Sequence, residues 1–93
     1  MERNTAETLA ILAFSFLLAD DARRARFLDL TGVDPDDLRA AITRPEFQAA
    51  ILDHVSADER LLMAFADDAG IAPGDVEEAR TALAGRRWER DSA

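Results

Sequence analysis

Leu9–Ala19 reads LAILAFSFLLA and is the most apolar run in the chain. At 100° per residue its large side chains do not form one stripe. Leu9, Leu12 and Phe16 point one way, Ile11, Phe14 and Leu18 another, and Leu17 fills part of the remainder. A helix apolar nearly all round needs cover nearly all round. The run therefore reads as a central helix with the other segments packed against it.

The chain has 93 residues, the size of one domain, and enough to bury a core without covalent staples. It has no cysteine, so disulfides, thiolate metal sites and thiol nucleophiles are excluded. All eleven cationic residues are Arg, and Ala occurs nineteen times. Such usage follows GC-rich codons and suggests a bacterial source. The net charge of −8 sets the chain against phosphate backbones and anionic lipid surfaces. Neither nucleic acid nor membrane is an expected partner. Glu2 and Glu7 spoil the basic region that a signal peptide needs. The apolar run is also shorter than the ~20 residues that span a bilayer. A cytoplasmic location is the expectation.

Turn chemistry divides the chain into helices. Asn4 is expected to cap the first, with Glu7 as its reciprocal partner, and that helix runs to about Leu18. Asp20 and Asp21 suit the start of a second, in which Asp20 can pair with Arg24 and Phe27, Leu28 and Leu30 face the core. Gly32 then Val33 is a left-handed stop, and Asp34 then Pro35 opens a third helix carrying Leu38, Ala41 and Ile42. Pro45 holds Arg44 out of the helical region. A fourth helix turns Phe47, Ile51, Leu52 and Val55 inward. Ser56 with Glu59 reads as a capping box for a fifth, bearing Leu61, Leu62 and Phe65. Gly70 then Ile71 repeats the stop, and Pro73 opens a sixth with Val76, Ala79 and Leu83, ended by Gly85. Period-2 alternation is absent, so strands are not expected. The domain is expected over 4–85, with a polar tail over 86–93.

Residues 19–43 set beneath 57–81, an offset of 38, match at nine of twenty-five positions, including Phe27/Phe65, Gly32/Gly70 and Pro35/Pro73. Two copies of a three-helix unit, sharing one core, would explain the matches. Convergence on the same helix-stop chemistry is the alternative.

Few residues suggest chemistry. Ala66–Val76, ADDAGIAPGDV, resembles the middle of a bacterial helix-turn-helix DNA-binding motif. The groove-facing positions are wrong for that role: Asp75, Glu77 and Glu78 stand against Arg80 alone. His54 is the only histidine, and no sequence neighbour is placed to orient it as a base. Asp67 and Asp68 sit near a helix C-terminus, where the dipole disfavours them, and could meet a basic partner. The tail joins Trp88 to Arg86 and Arg87, residue types favoured at interfaces. No phosphate loop or nucleophile elbow occurs, and no catalytic residue, cofactor or metal is expected.

At RFLDLTGVDPDDLR (Arg26 to Arg39), RPEFQAAILDHVSADERLLMAF (Arg44 to Phe65) and AGIAPGDVEEAR, the chain resembles a set of small bacterial all-helical proteins known only as a domain of unknown function. The resemblance covers roughly Leu9 to Leu83. It implies a helical fold and a cytoplasmic bacterial setting, and it transfers no site residue.

The expectation is thus an all-α bundle of five or six helices, built as two pseudo-repeated three-helix units around the first. The favoured function is a non-catalytic, acidic protein-interaction or adaptor module, with a protein partner or a second copy of itself. A degenerate helix-turn-helix protein with a transcription-related role is the runner-up, and an enzyme comes third. Each reading has a structural requirement. An interaction module needs an exposed apolar patch on the first helix or around Trp88. DNA binding needs a positive surface over Gly70 to Arg80. Catalysis needs a pocket at His54 with convergent polar groups.

Overall fold

The structure is a computed structural model that describes the backbone of residues 1–92 and the side chains of residues 1–84. It consists of α1 (Arg3–Leu18), α2 (Asp21–Thr31), a 3-10 turn (Pro35–Asp37) running into α3 (Leu38–Ala41), α4 (Pro45–Ser56), α5 (Glu59–Ala69) and α6 (Pro73–Ser92). Among the described residues there is no strand, and no helix is long and apolar enough to cross a membrane.

The core lies where α1, α4 and α6 meet in mutual contact, with α2 laid on α1 and α5 on α4. Helix α1 is central, as its composition requires, but α4 shares the role. It buries Phe47, Gln48, Ile51, Leu52 and Val55 and packs against α1, α5 and α6. The face of α1 turned inward is built from Ala6, Leu9, Ala10, Ala13, Phe14 and Leu17. The opposite face keeps large side chains in water: Ile11 is 47% and Leu12 48% exposed. Helix α1 is therefore covered on one face and not nearly all round, since Ile11 and Leu12 stand on the uncovered side.

Three phenylalanines join the layers. Phe14 of α1, Phe27 of α2 and Phe47 of α4 form an edge-to-face triangle with centroids 5.9–6.3 Å apart. That is the favoured aromatic geometry. Leu30, expected inside with Phe27, is 65% exposed. Phe27 is buried and the half-buried Leu28 packs on the core as expected, whereas Leu30 lies off that face.

The glycine stops form as expected. Gly32 and Gly70 have φ of 69° and 70°, and each donates its N–H back to the last turn of its helix. Val33 and Ile71 then pack on the core. Arg44 is extended at φ −92°, ψ 128°, as the following proline demands. The buried Gln48 amide donates to the Ile42 carbonyl at 2.8 Å and ties down this corner.

Other local expectations are corrected. Asn4 does not cap α1: the helix starts at Arg3 after an extended Glu2 without a side-chain cap, so Asn4 already has helical geometry. Glu7 instead meets Arg3 at 3.4 Å. Asp20 caps α2 by accepting from the Arg23 N–H at 2.9 Å, which leaves Asp21 to take Arg24 at 2.9 Å. Ser56 is the last residue of α4, and Asp58 caps α5 through the N–H groups of Arg60 and Leu61. Asp58, not Ser56, has the extended conformation that a cap requires. Gly85 does not end the sixth helix, which runs Pro73–Ser92. The third helix is one turn long where the sixth is 20 residues, since Pro45 stops the first and no proline follows Thr81.

Candidate functional site

Among the described residues, a cleft of about 220 Å³ lies between α2, the end of α4 and the start of α5. Its polar lining is Arg23, Arg26, His54, Asp58 and Arg60, with Leu61 and Ala64 as an apolar wall. The helix geometry explains the grouping. Arg23 and Arg26 are three apart on α2 and so share a face, with Phe27 anchoring the helix beside them. His54 sits in the last turn of α4. Asp58 and Arg60 follow at once because only two residues separate the end of α4 from the start of α5.

The side chains are held unequally. The Arg23 guanidinium stacks over the Phe16 ring at 4.3 Å, and Phe16 rests on Phe65 at 5.6 Å. His54 meets the edge of Phe27, centroid to centroid at 5.1 Å. Its Nε2 is buried and has no hydrogen-bond partner among the described residues. Burial lowers the imidazole pKa, and Arg26 adds to this by charge repulsion, while Asp58 opposes it. His54 is therefore neutral at neutral pH. With the imidazole neutral, three guanidiniums and one carboxylate leave the cleft cationic inside an acidic protein.

Chemically, such a cleft can hold an anion. It meets part of the requirement for catalysis, a pocket at His54 with polar groups, but among the described residues no hydrogen bond orients the imidazole. Among the described residues, no group of three or more His, Cys, Asp or Glu is placed to hold a metal ion.

A second surface is the outward face of α1. Asn4, Thr5, Thr8, Ile11, Leu12 and Ser15 are all exposed, and none carries charge. In a chain whose residues are 32% charged, about three turns of helix with an uncharged face form a distinct strip.

A family model described as a protein of unknown function, DUF3572, matches residues 3–86. The chain belongs to this family. The matched span contains both longest blocks on which the family resemblance rested, Arg26 to Arg39 and Arg44 to Phe65. No curated protein and no solved structure shows a match to the chain. The family's description assigns no roles to residues, so the site rests on geometry.

Of the residues singled out by sequence, Asp67 and Asp68 are exposed in the last turn of α5. They lie nine and ten residues from Asp58, about 14–15 Å along the helix from that edge of the cleft. The side chains of Arg86, Arg87 and Trp88 lie outside the described residues. The corner from Gly70 to Arg80 does not present a free cation among the described residues: Arg80 is bonded to Glu77 and, at 3.0 Å, to Asp53 of α4. Sequence reasoning missed Arg23, Arg26 and Arg60. The i, i+3 pair on α2 was visible, but its meeting with Arg60 was not.

Proposed function

We propose that the protein is a small, non-catalytic interaction module of the bacterial cytoplasm, docking a partner protein along the outward face of α1. The observation that carries this reading is the pair Ile11 and Leu12, about half exposed at the centre of an uncharged strip. Apolar surface of this kind gains by leaving water, at roughly 25 cal/mol per Å². The net charge favours a partner with a basic rim over a second copy, which would bring a further −8 to the interface. The two glycine stops, alike in dihedral angle and in the aliphatic residue and proline after them, support descent of both halves from one three-helix unit.

The test is parallel capture from the native host with the wild-type chain and an Ile11→Gln/Leu12→Gln double variant as bait. Circular dichroism should find both folded, since neither residue belongs to the core. Basic proteins retained by the wild type at low salt and lost by the double variant support the reading. Equal retention by both defeats it. Light scattering should give the monomer mass of 10.2 kDa; a dimer that the double variant splits would make the strip a self-interface instead.

A further inference from the structure

We propose that the cleft between α2 and the start of α5 is a binding site for a phosphate monoester, with Arg23, Arg26 and Arg60 as its anion ligands. The first argument is the absence of neutralising partners where they should be plentiful. Acidic residues outnumber cationic ones 19 to 11. Yet among the described residues, none of these three guanidiniums has a carboxylate within 4.0 Å. Among the described residues Arg3, Arg24 and Arg80 are each paired and Arg39 and Arg44 are not, but only Arg23, Arg26 and Arg60 gather in one cleft. Asp58 lines the same cleft, but its carboxylate is turned to the backbone N–H groups of Arg60 and Leu61.

Charge selects the ligand class. Three guanidiniums and Asp58 leave a net charge of +2 with His54 neutral. A phosphate monoester is close to a dianion at neutral pH, its second pKa being about 6. A monocarboxylate would leave one positive charge uncompensated. Guanidinium forks also suit the spread oxygens of phosphate, to which they donate paired hydrogen bonds.

Geometry sets the size. Drug-sized ligands occupy roughly 300–1,000 Å³. The 220 Å³ here is enough for a phosphoryl group and a short stem. Arg23 is already held by Phe16, which lowers the entropy lost when it takes up an anion. His54 forms the wall, and the groups that face it across the cleft are Arg23, Arg26, Asp58 and Arg60.

His54 being the only histidine, its ring-proton NMR signals report on the cleft directly. The full chain would be titrated at constant ionic strength with inorganic phosphate, free phosphoserine, a phosphoserine peptide and acetate. Phosphate and phosphoserine should shift the His54 signals saturably and raise the pH midpoint of its titration, because an added anion favours the imidazolium. Acetate should bind about tenfold more weakly or worse, having half the charge. Arg26→Gln and Arg60→Gln should each weaken phosphate by about tenfold, as expected for losing one charge-assisted contact. Arg39→Gln, exposed and outside the cleft, should change nothing. Equal affinity for free phosphoserine and the peptide would identify a small-molecule ligand; much tighter peptide binding would identify a phosphorylated protein segment. A non-saturating response to phosphate, or acetate as effective as phosphate, overturns the proposal. So does an Arg26→Gln/Arg60→Gln double variant that keeps wild-type affinity. The phosphate-to-acetate comparison needs no variant, so it stands even if one fails to fold, and none of these outcomes depends on the α1 strip.

Discussion

Phe27 and His54 meet edge to face, their ring centroids 5.1 Å apart and their planes inclined at 81°. Phe27 thereby links the aromatic triangle of the core to the wall of the cationic cleft. The histidine's environment is set by a residue two helices earlier in the chain, not by its own neighbours.

Stability should depend on pH through His54. The unfolded chain takes up this proton at the ordinary imidazole pKa of about 6.5. The folded imidazole, with its lowered pKa, takes it up only at lower pH. Between the two values the unfolded state holds more protons, so stability falls as the pH drops from about 6.5 through the folded pKa, and the penalty is complete below it. Urea unfolding from pH 7.5 down to 5 should show this loss, and His54→Leu should flatten it. An unchanged pH slope in that variant would remove His54 as the cause.

Phe27→Ala should destabilise the fold by about 3–5 kcal/mol, the usual cost of truncating a fully buried phenylalanine. It removes the shared vertex of three ring contacts. Phe16→Ala should cost less, since Phe16 is only half-buried. Chemical denaturation of the pair measures the difference, and a larger loss at Phe16 would contradict the arrangement of the core.

Gly32→Ala and Gly70→Ala should each cost about 1–2 kcal/mol from the left-handed backbone alone. A methyl group at either site meets no atom within 4 Å. The two losses should therefore be nearly equal, and Asn at either position should be milder, since it tolerates this conformation better. Thermal melts of the four variants check both statements.

Asp58→Ala should cost about 1 kcal/mol by uncapping α5. Ser56→Ala should be nearly silent, because Ser56 ends α4 and caps nothing. The reverse order in melting temperature would restore the capping box that the sequence suggested.

The arrangement of α1 shows the limit of reading large side chains. Ile11 and Leu12 look like core in a sequence because they are big and apolar. The core instead took the face that joins Leu9, Phe14 and Leu17 to Ala6, Ala10 and Ala13. Periodicity identified the helix but could not say which of two apolar faces would be used. The caps show a similar limit: Ser56 and Asp58 are both good capping residues, and only the place where α4 stops chooses between them.

By itself the sequence determined the helices, the stops at Gly32 and Gly70, the proline boundaries, the inward residues of α4 and the acidic balance, because each follows from short-range chemistry or from composition. Tertiary structure alone decided which face of α1 is buried and which charges gather. Arg60 stands 34 positions from Arg26, and no local spacing rule connects them. They line one cleft because α2 and α5 both pack around α1, and burial of Phe27 and Phe65 fixes where those helices lie.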